Sequence, residues 1–374
     1  MKIIVNTRNI LKTTAENDNL FVYESFRRIA TGHTKDEFIF ITDKAFDKEF
    51  SSLKNVKQLV IETEIKKPLL WQLWYNYKLP ALAKKYKADI LINTNGISSL
   101  RTKIPQCILV QNLSFLQYPQ FVEKKHLKVY KKFIPSSFNK AKTIVTVSQA
   151  AKETIIENYK IDAAKIDVVG SGVNKLFKPI DWREKESIKE KYADGKEFFL
   201  FAGSADAINN LIILLKAFSF FKKRQKSNMQ LLIALEPSMQ LKKFTQSLET
   251  YKYRNEVKLL ENLHEEELAK ITAAAYSYIS ASLSENTLPV LLKAMKCAPV
   301  IVSNLPVFRE ICADAALYAN PDSFEDFADK LMLIFKDEKK RNELIEKGKE
   351  QSHLYDWDKT AHSLWEAIAK SVQR

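Results

Sequence analysis

Two successive series of short β-branched runs, each run followed by a longer amphipathic or loop stretch, constrain this chain more than any single motif. That alternation predicts parallel sheets flanked by helices. The first series reads KIIVNT at 2–7, FIFIT at 38–42, ADILINT at 88–94, CILVQN at 107–112 and TIVTVS at 143–148. The second begins after residue 195, with EFFLFAG at 197–203, MQLLIAL at 229–235, VKLLE at 257–261, YSYISAS at 276–282 and PVIVS at 299–303. Between them lies KLFKPIDWREKESIKEKYADGKE, charged, carrying Pro179 and starting just after Gly170 and Gly172, so a boundary is expected near 175–195. A length of 374 residues agrees with two lobes. The fold class is therefore α/β with two similar sheets. The final segment carries Trp357, Ala361, Leu364, Trp365 and Ile368 near helical spacing and should dock on a lobe that periodicity does not identify.

Composition narrows the function classes. Cys107, Cys297 and Cys312 are widely separated and lack CxxC spacing, which excludes a disulfide framework and a cysteine zinc site and points to a reducing, cytoplasmic setting. The start MKIIVNTR has no hydrophobic core of a leader, and no stretch approaches 18 apolar residues. A net charge of +14 invites polyanions, but acidic residues are interspersed and no nucleic-acid-binding signature is present, so the reading is a lysine-rich surface without a nucleic-acid partner. His126 and His264 have no neighbours at ligand spacing and are read as polar residues; no metal is expected. Only seven glycines occur, so glycine-rich phosphate cradles are scarce.

Ligands of open α/β folds bind beyond the carboxyl ends of the strands, which directs attention to two loops of the second half. After FFLFA comes GSADAINNLIILLKAF, a glycine turn at Gly203 and Ser204 leading into a helix whose free amides can receive a phosphate. No GxGxxG or GxxxxGK is present, and Asp206, Asn209 and Asn210 serve equally well as ordinary N-caps. In the second loop, SASLSENTLPVLLKAMKCAPVIVS, Glu285 precedes a helix with Pro289 in its first turn. There a carboxylate can accept bonds from sugar hydroxyls or act as a cap.

Here the sequence resembles a family, the retaining family-4 glycosyltransferases of the glycosyltransferase B (GT-B) fold, in wording similar to members common in Bacteroidetes. The resemblance is carried by 104–121, by AKTIVTVSQAAKETIIENYKIDAAKIDVVGSGVNKLFKP at 141–179, by NLIILLKAF at 210–218 and by 282–321. It implies two Rossmann-like, doubly wound parallel-sheet domains facing each other across a cleft. Residues 1–178, with the helix 357–374 packing back, would form the acceptor side, and 179–356 the nucleotide-sugar side. It further implies sugar transfer from a nucleotide-sugar to a glycan or lipid-linked acceptor in cell-surface polysaccharide synthesis, with no metal and no cofactor beyond that co-substrate. By the same resemblance Glu285 would be catalytic and hold the donor sugar, and Gly203, Ser204, Asn209, Lys293, Asn286, Thr287 and Leu288 would line the donor. Asn95, Gln111 and Asn112 would line the acceptor side.

The motif also departs from the family's pattern. Where the family places an Arg and a Lys beside the diphosphate, this chain has Ile208 and Asn209; Lys293 replaces the second glutamate; Gln111 and Asn112 replace a His-Asp pair; AENDNLF at 15–21 replaces a glycine-rich loop; and Ala298 replaces a glycine. Charged hydrogen bonds contribute about 1.5–3 kcal/mol each, so losing two cations removes about 3–6 kcal/mol, two to four decades of donor affinity. Asp206 adds repulsion unless it turns outward, and Lys293 would compensate only by swinging toward the diphosphate; otherwise it is a surface lysine. The alternative function is a catalytically degenerate pseudo-glycosyltransferase acting as a binding or scaffold partner. Finally, 121–134 forms an amphipathic basic helix, with Lys124, Lys125, Lys128, Lys131 and Lys132 on one face, Leu127, Tyr130, Phe133 and Ile134 on the other, and Pro135 as its expected end. It is expected either to lie on anionic membrane at the inner face or to pack on the first lobe with its lysines in water.

Overall fold

The strands form two sheets, and the strand pairs are parallel in both. The computed structural model describes residues 1–8, 16–43, 48–61, 68–238, 240–284 and 288–373. By contacts the chain divides into one unit of residues 1–172 with 356–374 and a second of 173–355.

The first unit holds β1 (Lys2–Asn6), β2 (Glu37–Thr42), β3 (Val56–Val60), β4 (Ile90–Asn93), β5 (Gln106–Val110), β6 (Thr143–Thr146) and β7 (Ile166–Val168), in the order β3-β2-β1-β4-β5-β6-β7. The second holds β8 (Phe198–Ser204), β9 (Gln230–Glu236), β10 (Val257–Glu261), β11 (Ser277–Ser280), β12 (Val300–Ser303) and β13 (Ala316–Ala319), in the order β10-β9-β8-β11-β12-β13. β4, β5, β6 and β8 are buried at every position, as parallel strands covered on both faces must be. The edge strands β3 and β10 are half-exposed and carry Lys57 and Lys258. Three strands, β3, β7 and β13, were not among the expected runs. All three are edges, where one unpaired side relaxes the demand for continuous apolar residues.

Each strand order reverses once, between β1 and β4 in the first sheet and between β8 and β11 in the second. Loops leaving neighbouring strands in opposite directions open a crevice at such a point, and ligands of open sheets settle there.

The helix Trp357–Gln373 belongs to the first unit. Its Trp357, Ala361, Leu364 and Ile368 join the cluster around Phe26 and Phe40, Trp365 stacks on His33 at 3.8 Å, and Lys370 pairs with Asp167 at 2.6 Å. Gly172 makes this docking feasible, since a Cβ there would lie 2.4 Å from the Trp357 ring. Residues 173–178, expected in the first lobe, fall in the second unit. Phe177 is buried there with Ala269, Ala273 and Cys297.

The helix expected to stop at Pro135 runs from Lys124 to Lys140, with the proline inside it. Its apolar side is occupied within the first unit: Val129, Ile134 and Phe138 are buried, and Leu127 and Tyr130 pack on the core. The five lysines are exposed. That apolar face is thus covered within the first unit. No described helix is long and apolar enough to cross a membrane.

Candidate functional site

At the switch point of the second sheet, β8 ends in Gly203 and Ser204. Gly203 has φ +152°, and a Cβ would come within 3.2 Å of the Phe201 ring, so this strand end requires glycine. The following turn closes on itself. The Asn209 amide donates to the Ser204 carbonyl at 2.9 Å and the Ser204 hydroxyl at 3.0 Å, and that hydroxyl donates to Asp206 at 2.8 Å. Asp206, half-buried, is thus tied to Ser204 within the turn. The Ser204 proton is committed to it. Asn210, at φ +55°, precedes the helix Leu211–Gln225 but spends its side chain on the Pro321 carbonyl at 2.8 Å, leaving the helix amino end without a side-chain cap.

The loop after β11 is stitched to this turn. The Leu283 amide donates to the Ile208 carbonyl at 2.8 Å, and the Ser282 hydroxyl lies 2.9 Å from the Ser284 carbonyl. Four buried oxygens at these strand ends, Asn209 Oδ1 and the hydroxyls of Ser280, Ser284 and Ser303, have no hydrogen-bond partner among the described residues. Buried polar groups are normally paired, so these four oxygens mark unmet capacity to bond a polar ligand or water, as do unpaired buried atoms elsewhere such as Asn6 Oδ1, Thr42 Oγ1 and Ser99 Oγ. Glu285, Asn286 and Thr287 lie outside the described residues. Leu288 opens the helix Leu288–Met295, and its side chain is likewise outside them.

Lys293, on that helix, is buried. Its ammonium lies 2.8 Å from Glu265, whose other oxygen accepts from Asn174 at 3.1 Å, and stands 5.2 Å from the centre of the Phe177 ring. A diphosphate would have to compete with that carboxylate for it.

At the switch point of the first sheet, Asn6 donates to Asn93 at 3.1 Å, and the Tyr75 hydroxyl contacts the Asn95 side-chain oxygen at 2.8 Å. Burial pushes the Tyr75 phenol well above its ordinary pKa, against the opposing pull of Asn95, Asn6 and the Arg8 charge. Arg8 is 2% exposed, donates from Nε to Asp43 at 2.7 Å and lies 4.4 Å from the centre of the Trp74 ring. Asn112 accepts from the Ser114 amide at 2.8 Å and turns the chain out of β5, with Gln111 half-buried beside it. Asn95, Gln111 and Asn112 follow neighbouring strands on one sheet edge. Sequence reasoning missed Arg8, Asp43, Trp74 and Tyr75. A cation two residues past the first strand was the available signal.

Among the described residues no group of three His, Cys, Asp or Glu side chains is arranged to hold a metal ion. His126 stacks on Trp71 with ring centres 5.5 Å apart, and His264 precedes the helix Glu265–Ala274.

Residues 182–351 match the family model described as Glycosyl transferases group 1, and 32–175 match that of Glycosyltransferase Family 4. The O-antigen chain mannosyltransferase RfbU of Salmonella typhimurium is 27% identical over 274 residues, covering 72% of each chain. A glycosyltransferase from Rickettsia africae superposes with a TM-score of 0.74 at 18% identity, over 100% of this chain and 98% of the other. HepE of Anabaena, solved in complex with UDP and glucose, superposes at 0.75 and 16%, over 99% of both. At those identities the two structures speak to fold alone. Taken with the two parallel sheets, the family matches place this chain among the glycosyltransferases of the GT-B fold.

Proposed function

We propose that the protein transfers a sugar from a nucleotide-sugar to a glycan or lipid-linked acceptor during cell-surface polysaccharide assembly, with retention at the anomeric carbon. The observation that carries this reading is the cluster of unpaired buried oxygens where the second sheet reverses. Sugar hydroxyls are donors, and Asn209 Oδ1 and the Ser284 hydroxyl are acceptors without a described partner. In this reading the diphosphate lies at the backbone of Gly203 and Ser204 and the uncapped start of Leu211–Gln225, where amide hydrogens and the helix dipole favour negative charge. Those amides also stabilise the charge that grows on the leaving diphosphate. Glu285, with Asn286, Thr287 and Leu288, holds the sugar, and Asn95, Gln111 and Asn112 face the acceptor. Because RfbU is named a mannosyltransferase, a mannosyl donor is the first to test.

A panel of nucleotide-sugars read by thermal shift decides the matter. Stabilisation by at least one donor at sub-millimolar concentration is expected, since a ligand at 100 times its Kd adds about 2.7 kcal/mol. No shift across the panel would overturn the reading. One observation bears on the catalytically silent alternative: Lys293 is engaged by Glu265. Turnover of any stabilising donor would dismiss it.

A further inference from the structure

The strand ends around Ser204 gather negative charge where a diphosphate calls for the opposite sign. Asp206 stands just past β8, half-buried, and its carboxylate accepts from the Ser204 hydroxyl at 2.8 Å; among the described residues it pairs with no cation. A second carboxylate lies across the ladder. Ser204 is paired in register with Glu236 at the end of β9, and residues paired across neighbouring strands share a face of the sheet. Ala202 and Tyr278 lie on that face too: the Tyr278 hydroxyl donates to the Ala202 carbonyl at 3.1 Å, and its phenol is pushed up by burial and then by the Glu236 charge.

A third oxygen belongs to the same turn. Asn209 is 4% exposed, and its amide nitrogen is spent on the Ser204 carbonyl and hydroxyl, so the carboxamide lies against Ser204 and its Oδ1 stays there without a partner among the described residues. A water would satisfy that oxygen but would leave the carboxylates facing an incoming anion. Lys293 is held by Glu265 at 2.8 Å. A hard divalent cation answers both needs, because Mg2+ takes oxygen ligands, keeps several waters and is bound through one or two carboxylates plus substrate phosphates. Such an ion arrives with its substrate and needs no group of three acidic side chains; none occurs among the described residues.

We propose that Mg2+ bridges the donor diphosphate to Asp206, with Glu236 and Asn209 Oδ1 holding the ion's remaining oxygen shell directly or through its waters. The proposal rests on the nucleotide-sugar reading above and runs against the expectation that no metal takes part. It explains how a turn with Ile208 and Asn209 in place of an Arg and a Lys can hold two phosphates: the ion supplies the positive charge, and the carboxylate that would repel a bare diphosphate becomes its anchor.

Calorimetric titration of the full chain with GDP and with UDP, each in excess Mg2+ and again in EDTA, tests this. At least one nucleotide should bind about tenfold or more tightly with Mg2+. Asp206→Asn keeps an oxygen to accept from Ser204 and removes the charge. It should weaken binding about tenfold in Mg2+, yet bind as well as the unchanged chain or better in EDTA, where repulsion is relieved. A purely structural role for Asp206 would lower both affinities together and would overturn the site. Should Asp206→Asn fail to fold, Glu236→Gln should show the same crossing. A Mg2+ advantage that the folded variant retains in full would assign the ion to the nucleotide alone and overturn the site. Equal binding in Mg2+ and EDTA would overturn the ion and leave the transferase reading standing. Binding of neither nucleotide under either condition would also overturn it, and the donor panel then decides whether the transferase reading falls as well.

Discussion

The two sheet-reversal points are lined by different chemistry. In the first unit a buried cation and aromatic rings join the polar contacts, Arg8 with Asp43 and Trp74, Tyr75 with Asn95, Asn6 with Asn93, while Asn6 Oδ1, Thr42 Oγ1 and Trp74 Nε1 have no partner among the described residues. In the second, serine and asparagine oxygens are buried with no partner among the described residues, beside a turn that ties up its own donors. A paired group stabilises the fold, whereas an unpaired one costs stability and is retained for some other use. Unpaired atoms occur at both points, so the difference lies in the kind of group: the first holds a buried cation packed on an aromatic ring, whereas the unpaired groups of the second are small neutral side chains.

The largest expected effect bounds the conditions under which this contrast can be read. Burial pushes the Cys107 thiol in the first unit and the Cys297 thiol in the second from 9.0 up to about 12. The unfolded thiols ionise first, so the stabilisation is complete below pH 9 and is lost as pH rises toward 12. A series of urea titrations across that range should show falling stability in both units, and comparisons of the two sites belong below pH 9. There, Arg8→Ala should cost about 2–4 kcal/mol in urea denaturation, since it removes a buried cation from an aromatic ring and a carboxylate; a loss under 1 kcal/mol would break the contrast from the first side.

Lys293→Ala should cost about 1–2 kcal/mol, reduced because Glu265 is partly exposed. Donor binding measured on the same variant shows whether the lysine also leaves its carboxylate for the diphosphate, which a drop of tenfold or more would establish. Tyr75→Phe should cost about 1 kcal/mol, the worth of one ordinary hydrogen bond. The smallest change sharpens the comparison most: Ser303→Ala should alter stability by less than about 0.5 kcal/mol or raise it, because no partner is lost. A loss above 1 kcal/mol there would mean that the hydroxyl is satisfied.

Much of the fold was legible because central strands of parallel sheets are buried on both faces and read as unbroken apolar runs, as FFLFA does in β8 and CILV in β5. VKQLV, IDV and ALYA escaped because edge strands are short or carry polar residues. At the site, the glycine turn at Gly203 and the serine-rich loop after β11 were visible as strand ends followed by turn residues. The partners were not. Nothing local in NTR announces that Arg8 will meet an aspartate 35 positions on, and nothing in the helical period of 124–134 says that its apolar face is already taken.

The sequence alone determined the α/β class, the two series of strands and the edges at which loops would gather, because periodicity and turn chemistry act over a few residues. Tertiary structure decided which polar groups found partners. It seated Lys293 on Glu265 and tied Asp206 to Ser204. Such pairings depend on which distant segments meet, and chain spacing carries no record of that.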